Sequence, residues 1–443
     1  MNKLKIILTR PNYHSHLITP PLGLGYLSSY LKSQGHWTKV IDGLNLNFSN
    51  EKIAALCQEA DLVGISVLSA YLAETIAFIR VLKANKKKVV IGGPHVTALG
   101  QDALCQTGAD YAICFEGEYS FASLAENIAN NKKNERLNQT GFIDNLDLLP
   151  FPDWEEINPR LYQKAPHGGL IKNFPAAPIV TTRGCPYECA FCASPKLWER
   201  RIRFRSPENT VEEIEHLVKK FGVKEIHFED DNLTLKKEHV IKICELLIAK
   251  KLKISWATPN GVRADKLDRE ILKLMRQSGC YFTAFGIESA NQQILGNIKK
   301  SIELESISKA ISIANKEGII TQGFFIFGLP GETKETMRET INFAKKSGLR
   351  RAQFLLLDVL PGSELWDKLK SSRCAQLTEA KSYQDVTWVP EGLKREDLFR
   401  AQSRAFREFF FRPKQLYTLL KHFKLSQISF VLRRASDFRM FKL

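Results

Sequence analysis

The sequence contains no long apolar run. Its longest strongly apolar stretch, Leu62 to Ala73, has twelve residues and is bounded by Asp61 and Glu74, whereas a helix that spans a bilayer needs about 20. The N-terminus begins Met-Asn-Lys-Leu-Lys and lacks the apolar region and the small-residue cleavage site of a signal peptide. We therefore expect a chain without a transmembrane helix that stays in the cytosol.

Internal repeats and low-complexity segments are also missing. Apolar residues make up 44% and charged residues 25% of the 443 residues, which is ordinary globular usage and argues against disorder or a fibrous repeat. This length suits about two to four domains, at roughly 100 to 200 residues each. Because cytosolic thiols stay reduced, the nine cysteines are expected to be free or bound to metal.

Positive charge is concentrated at the C-terminal end. The whole chain has a formal net charge of +16, and residues 394–443 contain 13 Lys and Arg against 4 Asp and Glu, together with ten aromatic residues. Such a segment suits a membrane surface or an anionic partner. The alternative is a helical extension that docks on the body of the protein and exposes a basic face.

The first 130 residues alternate strand-like and helix-like patterns. The predicted strands are Lys5 to Thr9, Thr38 to Asp42, Leu62 to Leu68, Lys88 to Ile91 and Tyr111 to Phe115. The predicted helices are Leu22 to Ser33, Glu51 to Glu59, Ala73 to Ala84, Asp102 to Gln106 and Phe121 to Asn130. This alternation predicts a parallel, doubly wound sheet. A ligand of such a sheet lies beyond the carboxyl ends of the strands, where the strand order reverses.

A second alternating series follows a proline-rich segment. Six of the eighteen prolines fall between Pro150 and Pro178, which indicates a linker or a strap. The predicted strands of the second series are Ile179 to Thr182, Glu225 to Phe228, Lys253 to Ala257, Phe282 to Ile287, Thr321 to Phe327 and Gln353 to Leu357. The predicted helices between them include Val211 to Lys220, His239 to Lys250 and Thr333 to Lys346. Six such units predict part of a barrel whose strand ends face one mouth.

Three cysteines directly follow the first strand of the second series. Cys185, Cys189 and Cys192 have the spacing CxxxCxxC. Three thiolates supply all but one of the four ligands of a [4Fe-4S] cluster and leave one iron open. Zinc is the rival metal, but a structural zinc site closes with four ligands, and His167 is the nearest candidate upstream.

At this motif the sequence resembles the radical S-adenosylmethionine superfamily, whose members bind the amino and carboxylate groups of that cofactor to the open iron. The resemblance implies that Phe191 lies near the adenine. It also implies cofactor-binding roles for residues at later strand ends. These are Glu229, Asp230 and Asp231 for the ammonium group, Glu288 and Ser289 for the ribose and carboxylate, and Gly328 beneath the adenine.

The same strand-end residues have a structural interpretation. Each carboxylate could cap a helix, and each glycine could serve a turn. Consecutive carboxylates at a barrel mouth are nevertheless costly unless they meet a cation or hydrogen-bond donors. Arg263, after the third strand, could pair with a carboxylate of the cofactor or with Asp265.

The strand ends of the first series carry small residues. Ser66-Val67-Leu68 and Gly92-Gly93 would let the backbone approach a large flat ligand. They resemble the SxL and GG elements of cobalamin-binding domains, and the whole chain resembles the cobalamin-binding branch of the superfamily. The stretch 12–17 lacks the DxHxxG pattern that supplies an axial histidine, so we expect His14 to be a loop residue and not a cobalt ligand. A vestigial flavodoxin-like domain that only packs is the alternative.

The resemblance implies an α/β architecture of four parts. A flavodoxin-like, doubly wound cobalamin-binding domain spans residues 1–147 and a proline-rich linker spans 148–177. A partial (βα)6 barrel of the TIM type spans 178–365, and a basic, aromatic-rich helical extension spans 366–443. Because the cluster ligands and the strand-end carboxylates all lie at or before Glu332, this extension is not expected to take part in radical generation.

Three further cysteines raise the question of a second cluster. Cys57, Cys105 and Cys114 fall in two predicted helices and a strand, which we interpret as core filling. No β-rich RNA-binding module follows the predicted barrel. A role in tRNA modification, or any nucleic-acid partner, is therefore disfavoured.

The resemblance implies an enzyme that uses a [4Fe-4S] cluster, S-adenosylmethionine and cobalamin. Its implied reaction is methyl transfer to an unactivated carbon through a 5′-deoxyadenosyl radical. The alternatives are a radical cyclase, oxidase or rearrangement enzyme of the same architecture, and a non-catalytic iron-sulfur scaffold. The expected partners are a small-molecule or lipid substrate and an electron donor such as flavodoxin or ferredoxin, with peripheral membrane contact through the basic tail.

Overall fold

The computed structural model describes residues 3–15, 17–164, 171–371, 386–413 and 415. The chain divides into two units, and the first comprises Met1–Gln163 together with Lys196–Glu199. Within this unit Trp198 lies 6.3 Å from Phe142, measured between ring centroids. The second unit comprises Lys164–Pro195 and Arg200–Leu443. Among the described residues, no helix is both long and apolar enough to cross a membrane.

A six-stranded sheet forms the centre of the first unit. Its strands are β1 (Lys5–Arg10), β2 (Trp37–Asp42), β3 (Leu62–Ser66), β4 (Lys88–Gly92), β5 (Tyr111–Cys114) and β6 (Leu137–Gln139). Its helices are α1 (Leu22–Ser33), α2 (Gly43–Leu46), α3 (Asn50–Leu56), α4 (Leu72–Ala84), α5 (Pro94–Leu99), α6 (Gln101–Thr107) and α7 (Gly117–Ala129). All paired strands are parallel, in the order β2-β1-β3-β4-β5-β6. The strand order therefore reverses between β1 and β3.

Apolar strands explain why this sheet forms. Val63, Val89 and Ile91 are fully buried, and Phe78 and Ile79 of α4 pack in the same core. Residues with apolar neighbours on both faces are typical of parallel sheets covered by helices. The proline-rich segment contributes as well, because Trp154 and Ile157 are buried within the first unit.

The second unit contains a second parallel sheet and a short antiparallel pair. Its strands are β7 (Ala176–Ile179), β8 (Thr182–Arg183), β9 (Arg203–Phe204), β10 (Glu225–Phe228), β11 (Ser255–Val262), β12 (Cys280–Glu288), β13 (Ile320–Phe327) and β14 (Arg351–Leu356). The helices from residue 194 onward are α8 (Ser194–Leu197), α9 (Pro207–Phe221), α10 (Lys237–Ala249), α11 (Arg269–Gln277), α12 (Gln292–Asn297), α13 (Leu304–Lys316), α14 (Lys334–Lys346), α15 (Glu364–Ser371) and α16 (Arg395–Phe410).

The main sheet of this unit follows chain order. Its strands lie as β14-β13-β12-β11-β10-β7, all parallel, while β8 pairs with β9. Within the part of the chain that the structure describes, β7 does not pair with β14, so the sheet is open. This is the arrangement of a partial βα barrel, whose strand ends point to one face. Pro178 is accommodated because β7 is an edge strand.

The helix α16 covers the other edge of this sheet. Phe406 and Phe409 pack on Phe354 of β14, and the Gln402 side-chain amide donates to the Phe354 carbonyl at 2.9 Å. The alternative that the C-terminal extension docks on the body of the protein is therefore correct for α16. Residues 416–443, which hold the rest of the basic tail, lie outside the described residues.

Candidate active site

The three-cysteine loop follows β8 and is fixed at its start and in its middle. Gly184 has a φ of +103°, which favours glycine, and it starts the loop. The amide of Ala190 donates to the Ile298 carbonyl, and the Ala190 carbonyl accepts from the Leu365 amide, both at 2.9 Å. These bonds attach the middle of the loop to the residue after α12 and to the first turn of α15.

The cysteine side chains are partly buried and close enough to influence each other electrostatically. Burial, to which the neighbouring thiols add, raises the pKa of Cys192 to about 12. Burial likewise raises the pKa of Cys185 and Cys189. The thiol of Cys192 accepts from the Ser194 amide at 3.4 Å. Because thiolates are the ligands of iron, metal binding must displace these protons.

The donor set fits an iron-sulfur cluster. Among the described residues, no three His, Cys, Asp or Glu side chains gather round one point as a single metal ion requires. A cubane imposes a different geometry, because each cysteine bonds a different iron. Three thiols on one short loop therefore suit a [4Fe-4S] cluster that keeps one iron open for another ligand.

Asp230, at the end of β10, holds the backbone that leads into the loop. Its Oδ1 accepts from the amide and hydroxyl groups of Thr181 and Thr182, at 2.6 to 2.9 Å. Burial raises the pKa of Asp230 to about 6, although these hydrogen bonds act in the opposite direction. The observed contacts are thus structural, and a contact of Asp230 with a cofactor ammonium stays a prediction.

The neighbours of Asp230 differ in exposure. Asp231 is exposed and its Oδ2 accepts from the Ser194 hydroxyl at 3.2 Å. Asn232 is buried, and its amide nitrogen lies 3.9 Å from the Cys185 sulfur. The oxygen Oδ1 of Asn232 has no hydrogen-bond partner among the described residues. Asn232 was not predicted from the sequence, although it directly follows the strand-end carboxylates.

A buried ion pair lies at the end of β12. The ammonium of Lys300 is 2.8 Å from the Glu288 carboxylate, and both residues are buried. A Cβ at Gly286 would lie 2.8 Å from Glu288 Oε1 and 3.0 Å from Lys300 Nζ, so glycine leaves the space that the pair fills. Burial acts to lower the pKa of Lys300, but the charges of Glu288 and Cys189 outweigh it and raise the pKa.

Arg263 contacts protein groups on several sides. Its guanidinium pairs with Asp265 at 3.0 Å, donates to the carbonyls of Lys300 and Ser301 at 3.0 and 2.7 Å, and lies 3.8 Å from the Tyr187 ring centroid. Of the two partners predicted for Arg263, Asp265 and a carboxylate of the cofactor, the structure contains the pair with Asp265. Arg263 connects the turn after α12 to the cysteine loop, and a contact with the cofactor stays a prediction.

The remaining predicted residues of this unit lie in turns. Ser289 is buried, and its hydroxyl lies 3.4 Å from that of Thr340. Gly328 has a φ of +94°, and its amide donates to Oε2 of Glu332 at 2.6 Å. The other oxygen of Glu332 has no hydrogen-bond partner among the described residues. Phe191 is half-buried in the cysteine loop.

The second unit thus brings most of its predicted site residues together. The charges of Asp231, Glu288 and Arg263 act on the three cysteines. Lys300 joins this group although the sequence analysis missed it. It lies twelve residues after Glu288, in a turn where Lys299 and Ser301 both have positive φ, and no local pattern indicates that this turn returns to the cysteine loop.

In the first unit, Ser66, Leu68, Gly92 and Gly93 lie on neighbouring strand ends. Gly93 has a φ of +98°, and a Cβ there would lie 3.1 Å from the Ser66 hydroxyl and 3.2 Å from Val67 backbone atoms. Gly93 is thus required by the packing of the two loops. At Gly92 the nearest atom would be 3.5 Å away, and Leu68 is 39% exposed. Ser66, Gly92 and Gly93 are partly exposed, and a flat ligand at these strand ends stays a prediction.

Within the described part of the chain, Cys57, Cys105 and Cys114 do not form a second metal site. Cys57 and Cys114 are buried, as core filling predicts. Cys105 is exposed, so the core prediction is wrong for this residue. The short helix α6 turns Ala103 and Leu104 inward and leaves Cys105 on its outer face.

Comparison with known proteins finds a matching family model in each of the two units. The model of the radical SAM superfamily matches residues 179–344, and the model of the B12 binding domain matches residues 13–125. An uncharacterised methyltransferase of Pyrococcus horikoshii is 30% identical, and the match covers 94% of each chain. The chain belongs to the cobalamin-binding radical SAM enzymes. The anaerobic magnesium-protoporphyrin IX monomethyl ester cyclase of Cereibacter sphaeroides is 28% identical, over 92% of this chain and 71% of the cyclase.

The radical SAM methyltransferase TsrM of Kitasatospora setae shares the fold. It superposes with a TM-score of 0.77 at 17% identity, over 93% of this chain and 90% of TsrM. The family and the α/β architecture predicted from the sequence are confirmed. As a cobalamin-binding radical SAM enzyme, the chain uses a [4Fe-4S] cluster, S-adenosylmethionine and cobalamin.

Proposed function

We propose that this radical SAM enzyme transfers a methyl group to an unactivated carbon of a small molecule. When bound, the cluster and S-adenosylmethionine supply a 5′-deoxyadenosyl radical that abstracts hydrogen, and cobalamin supplies the methyl group. The observation that carries the proposal is the three-cysteine loop in a chain that also has a cobalamin-binding domain. A relative matched over 94% of its length is named a methyltransferase.

The residues of the second unit have distinct tasks in this proposal. Cys185, Cys189 and Cys192 hold the cluster, while Asp230 and Arg263 hold the loop that carries them. This division follows from the contacts, because Asp230 bonds the strand before the loop and Arg263 stacks on Tyr187 within it. Positioning of this kind is the contribution that a protein makes to cofactor chemistry.

The cofactor S-adenosylmethionine would bind beside the open iron. Asn232 and Glu332 each have a buried oxygen without a hydrogen-bond partner among the described residues, and buried polar atoms are normally satisfied, here by a ligand. Lys300 is a buried cation that pairs with Glu288, and the charge of Cys189 also raises its pKa. It would in addition contact the carboxylate of S-adenosylmethionine. The residues predicted from the sequence to contact this cofactor are Phe191, Glu229, Asp230, Asp231, Arg263, Glu288, Ser289 and Gly328.

The first experiment needs no knowledge of the substrate. The chain is reconstituted anaerobically with iron, sulfide and hydroxocobalamin, reduced with titanium(III) citrate, and given S-adenosylmethionine with a trideuterated methyl group. We expect trideuteromethylcobalamin and S-adenosylhomocysteine in equal amounts, measured by mass spectrometry. Formation of neither product would contradict the methyltransferase proposal.

Radical cyclisation is the second candidate. It is favoured by the similarity to the cyclase of Cereibacter sphaeroides over 92% of this chain. A cyclase would cleave S-adenosylmethionine to 5′-deoxyadenosine but would not place the deuterated methyl group in its product. In a second experiment with an acceptor substrate, the mass of the product formed from that substrate therefore separates the methyltransferase from the cyclase.

The proposed partners follow from redox chemistry and charge. Reductive cleavage requires one electron, which a flavodoxin or ferredoxin would supply. The basic tail would attract anionic lipid, because each Lys or Arg near such a surface contributes about 1 kcal/mol and salt screens it. Cosedimentation with anionic vesicles at low and high salt tests this contact. A chain that stays in the supernatant at low salt would contradict it.

A further inference from the structure

Two tyrosines stack at the edge of the first sheet. Tyr13 follows β1, and Tyr71 ends the short turn after β3. Their ring centroids are 3.8 Å apart, and the ring planes differ by 14°. The strand order reverses between β1 and β3, and doubly wound sheets bind their ligands at this point, beyond the carboxyl ends of the strands. The tyrosine pair therefore lies where the topology predicts a ligand.

The loop that carries Tyr13 is fixed near both of its ends. Arg10 donates to both carboxylate oxygens of Asp42 at 2.7 Å and to the Thr19 carbonyl at 2.8 Å. Because Arg10 precedes the loop and Thr19 lies at its far end, this side chain limits where the tyrosine ring can move. A bidentate Arg contact is geometrically specific.

Tyr71 is fixed by its own neighbours. The carbonyl of Tyr71 accepts from the Thr75 hydroxyl at 2.8 Å. Two residues before it, the Ser69 hydroxyl bonds the ring of buried His95 at 2.9 Å, and that ring bonds Gln106 at 3.2 Å. Hydrogen bonds thus hold the two backbone segments that carry the rings, as a preformed binding surface requires.

The stack offers a flat aromatic surface and no strong metal ligand. Both rings are partly exposed. Burial raises the pKa of Tyr13 and of Tyr71, so both phenols are neutral at pH 7, when they bind metal weakly. The small residues Ser66 and Gly92 are paired at the adjacent ends of β3 and β4, and both are partly exposed.

We propose that the Tyr13 and Tyr71 stack is the surface on which the lower face of the corrin ring of cobalamin rests. Ring packing, and not His14, then holds the cofactor on this side. The inference rests on cobalamin binding and is independent of whether the enzyme methylates or cyclises its substrate.

The test measures cobalamin binding by the full chain. Hydroxocobalamin is titrated into wild type, Tyr13→Ala, Tyr71→Ala and the two matching Phe variants, with the change in absorbance as readout. We expect each Ala variant to bind about tenfold more weakly, which corresponds to about 1.4 kcal/mol, and each Phe variant to bind like wild type because the ring is kept. Thermal unfolding and iron content check that the variants fold.

His14→Ala is the matched control, because His14 neighbours Tyr13 and is exposed. We expect this variant to bind cobalamin like wild type and to give the same electron paramagnetic resonance spectrum of bound cob(II)alamin. Ala variants with wild-type affinity and spectrum would overturn the proposal, as would loss of nitrogen splitting in His14→Ala. A wild type that binds no cobalamin would overturn it too, whereas normal binding without methyl transfer would contradict only the proposed function.

Discussion

The two parallel sheets of this enzyme have the same number of strands but different carboxyl edges. In the first unit these edges carry Ser66, Gly92, Gly93 and stacked tyrosines. In the second unit they carry buried charges, among them Asp230 and the Glu288–Lys300 pair. The first edge has small residues at the ends of β3 and β4 and an ion pair, Arg10 with Asp42, at the ends of β1 and β2, whereas the second edge has buried charges close to three thiols. Similar strand architecture therefore supports two different ways of holding a cofactor.

The largest expected effect is at the thiols of the second edge. Replacing Cys185, Cys189 or Cys192 by Ala removes one of three cluster ligands, so we expect most of the iron and all detectable cleavage of S-adenosylmethionine to be lost. Iron and sulfide analysis after anaerobic reconstitution measures this. Cys105→Ala, which changes an exposed cysteine, should keep both. A triple variant with normal iron content would contradict the assignment.

The next largest effect concerns α16. Truncation after Ser372 removes Phe406 and Phe409 from Phe354, and removing a buried Phe side chain alone costs about 3 to 5 kcal/mol. Leu398 of this helix would be 3.3 Å from a Cβ at Gly328, so the turn after β13 loses a neighbour too. We expect an insoluble or cluster-free protein, although the sequence analysis treated the tail as dispensable for radical generation.

Truncation after Gln415 is the control for the previous variant. It keeps α16 and the bond from the Gln415 side chain to the Leu349 carbonyl. We expect this variant to retain its iron and its thermal stability, while losing any binding to anionic vesicles. A soluble, iron-loaded protein that ends at Ser372 would show that α16 is not required.

A smaller effect depends on pH. Burial raises the pKa of Glu332 to about 7 in the folded chain, against about 4.3 in an unfolded one. The folded chain binds this proton more tightly than the unfolded chain does. The resulting stabilisation of the folded state is complete below about pH 4.3 and is lost as the pH rises through 7. This stabilisation is on the order of 3 kcal/mol. Glu332→Gln keeps an oxygen that accepts from Gly328 and Leu329 at every pH.

We therefore expect the melting temperature of wild type to fall between pH 5 and pH 8 relative to that of Glu332→Gln. Thermal unfolding at four pH values measures the difference. Glu335→Gln changes an exposed glutamate in the same segment and should follow wild type. Parallel curves for wild type and Glu332→Gln would contradict the buried, protonated carboxyl group.

The smallest effect tests the shape of the first edge. Gly93→Ala places a Cβ against Ser66 and Val67 in a strained conformation, which costs about 1 to 3 kcal/mol. Gly92→Ala places it 3.5 Å from the nearest atom and should be nearly neutral. Denaturant unfolding compares the two variants. Equal stability would show that the edge tolerates added volume, against the interpretation of a fitted surface.

Strongly patterned segments were predictable from the sequence. The helix Leu22–Ser33 and the strand Glu225–Phe228 have the predicted bounds, because apolar residues at helical spacing or in a short buried run leave few alternatives. The sixth strand of the first sheet, Leu137–Gln139, was missed because its sequence, Leu-Asn-Gln, is short and mostly polar. It forms because β5 offers a free edge, which local sequence does not reveal.

The candidate site was predictable where chemistry is local in sequence. The cysteine spacing identifies the cluster loop, and the strand ends identify its neighbours. Lys300 was not predictable, because the turn after α12 brings it back to Glu288 by tertiary packing. The sequence could not show whether Asp230 and Arg263 contact the protein or the cofactor. Both kinds of contact require the same charged side chains at these positions.

The first unit is not one continuous segment of the chain. Lys196–Glu199 belongs to that unit although it follows the cluster cysteines in sequence. Its Trp198 contacts Phe142, which packs edge-on against Phe115 at 5.1 Å. A fragment beginning at Lys164 would carry Trp198 without these rings, and one ending at Gln163 would lack Trp198. Dividing the chain at Gln163 would therefore separate Trp198 from Phe142 and Phe115, so one continuous segment does not contain the whole first unit.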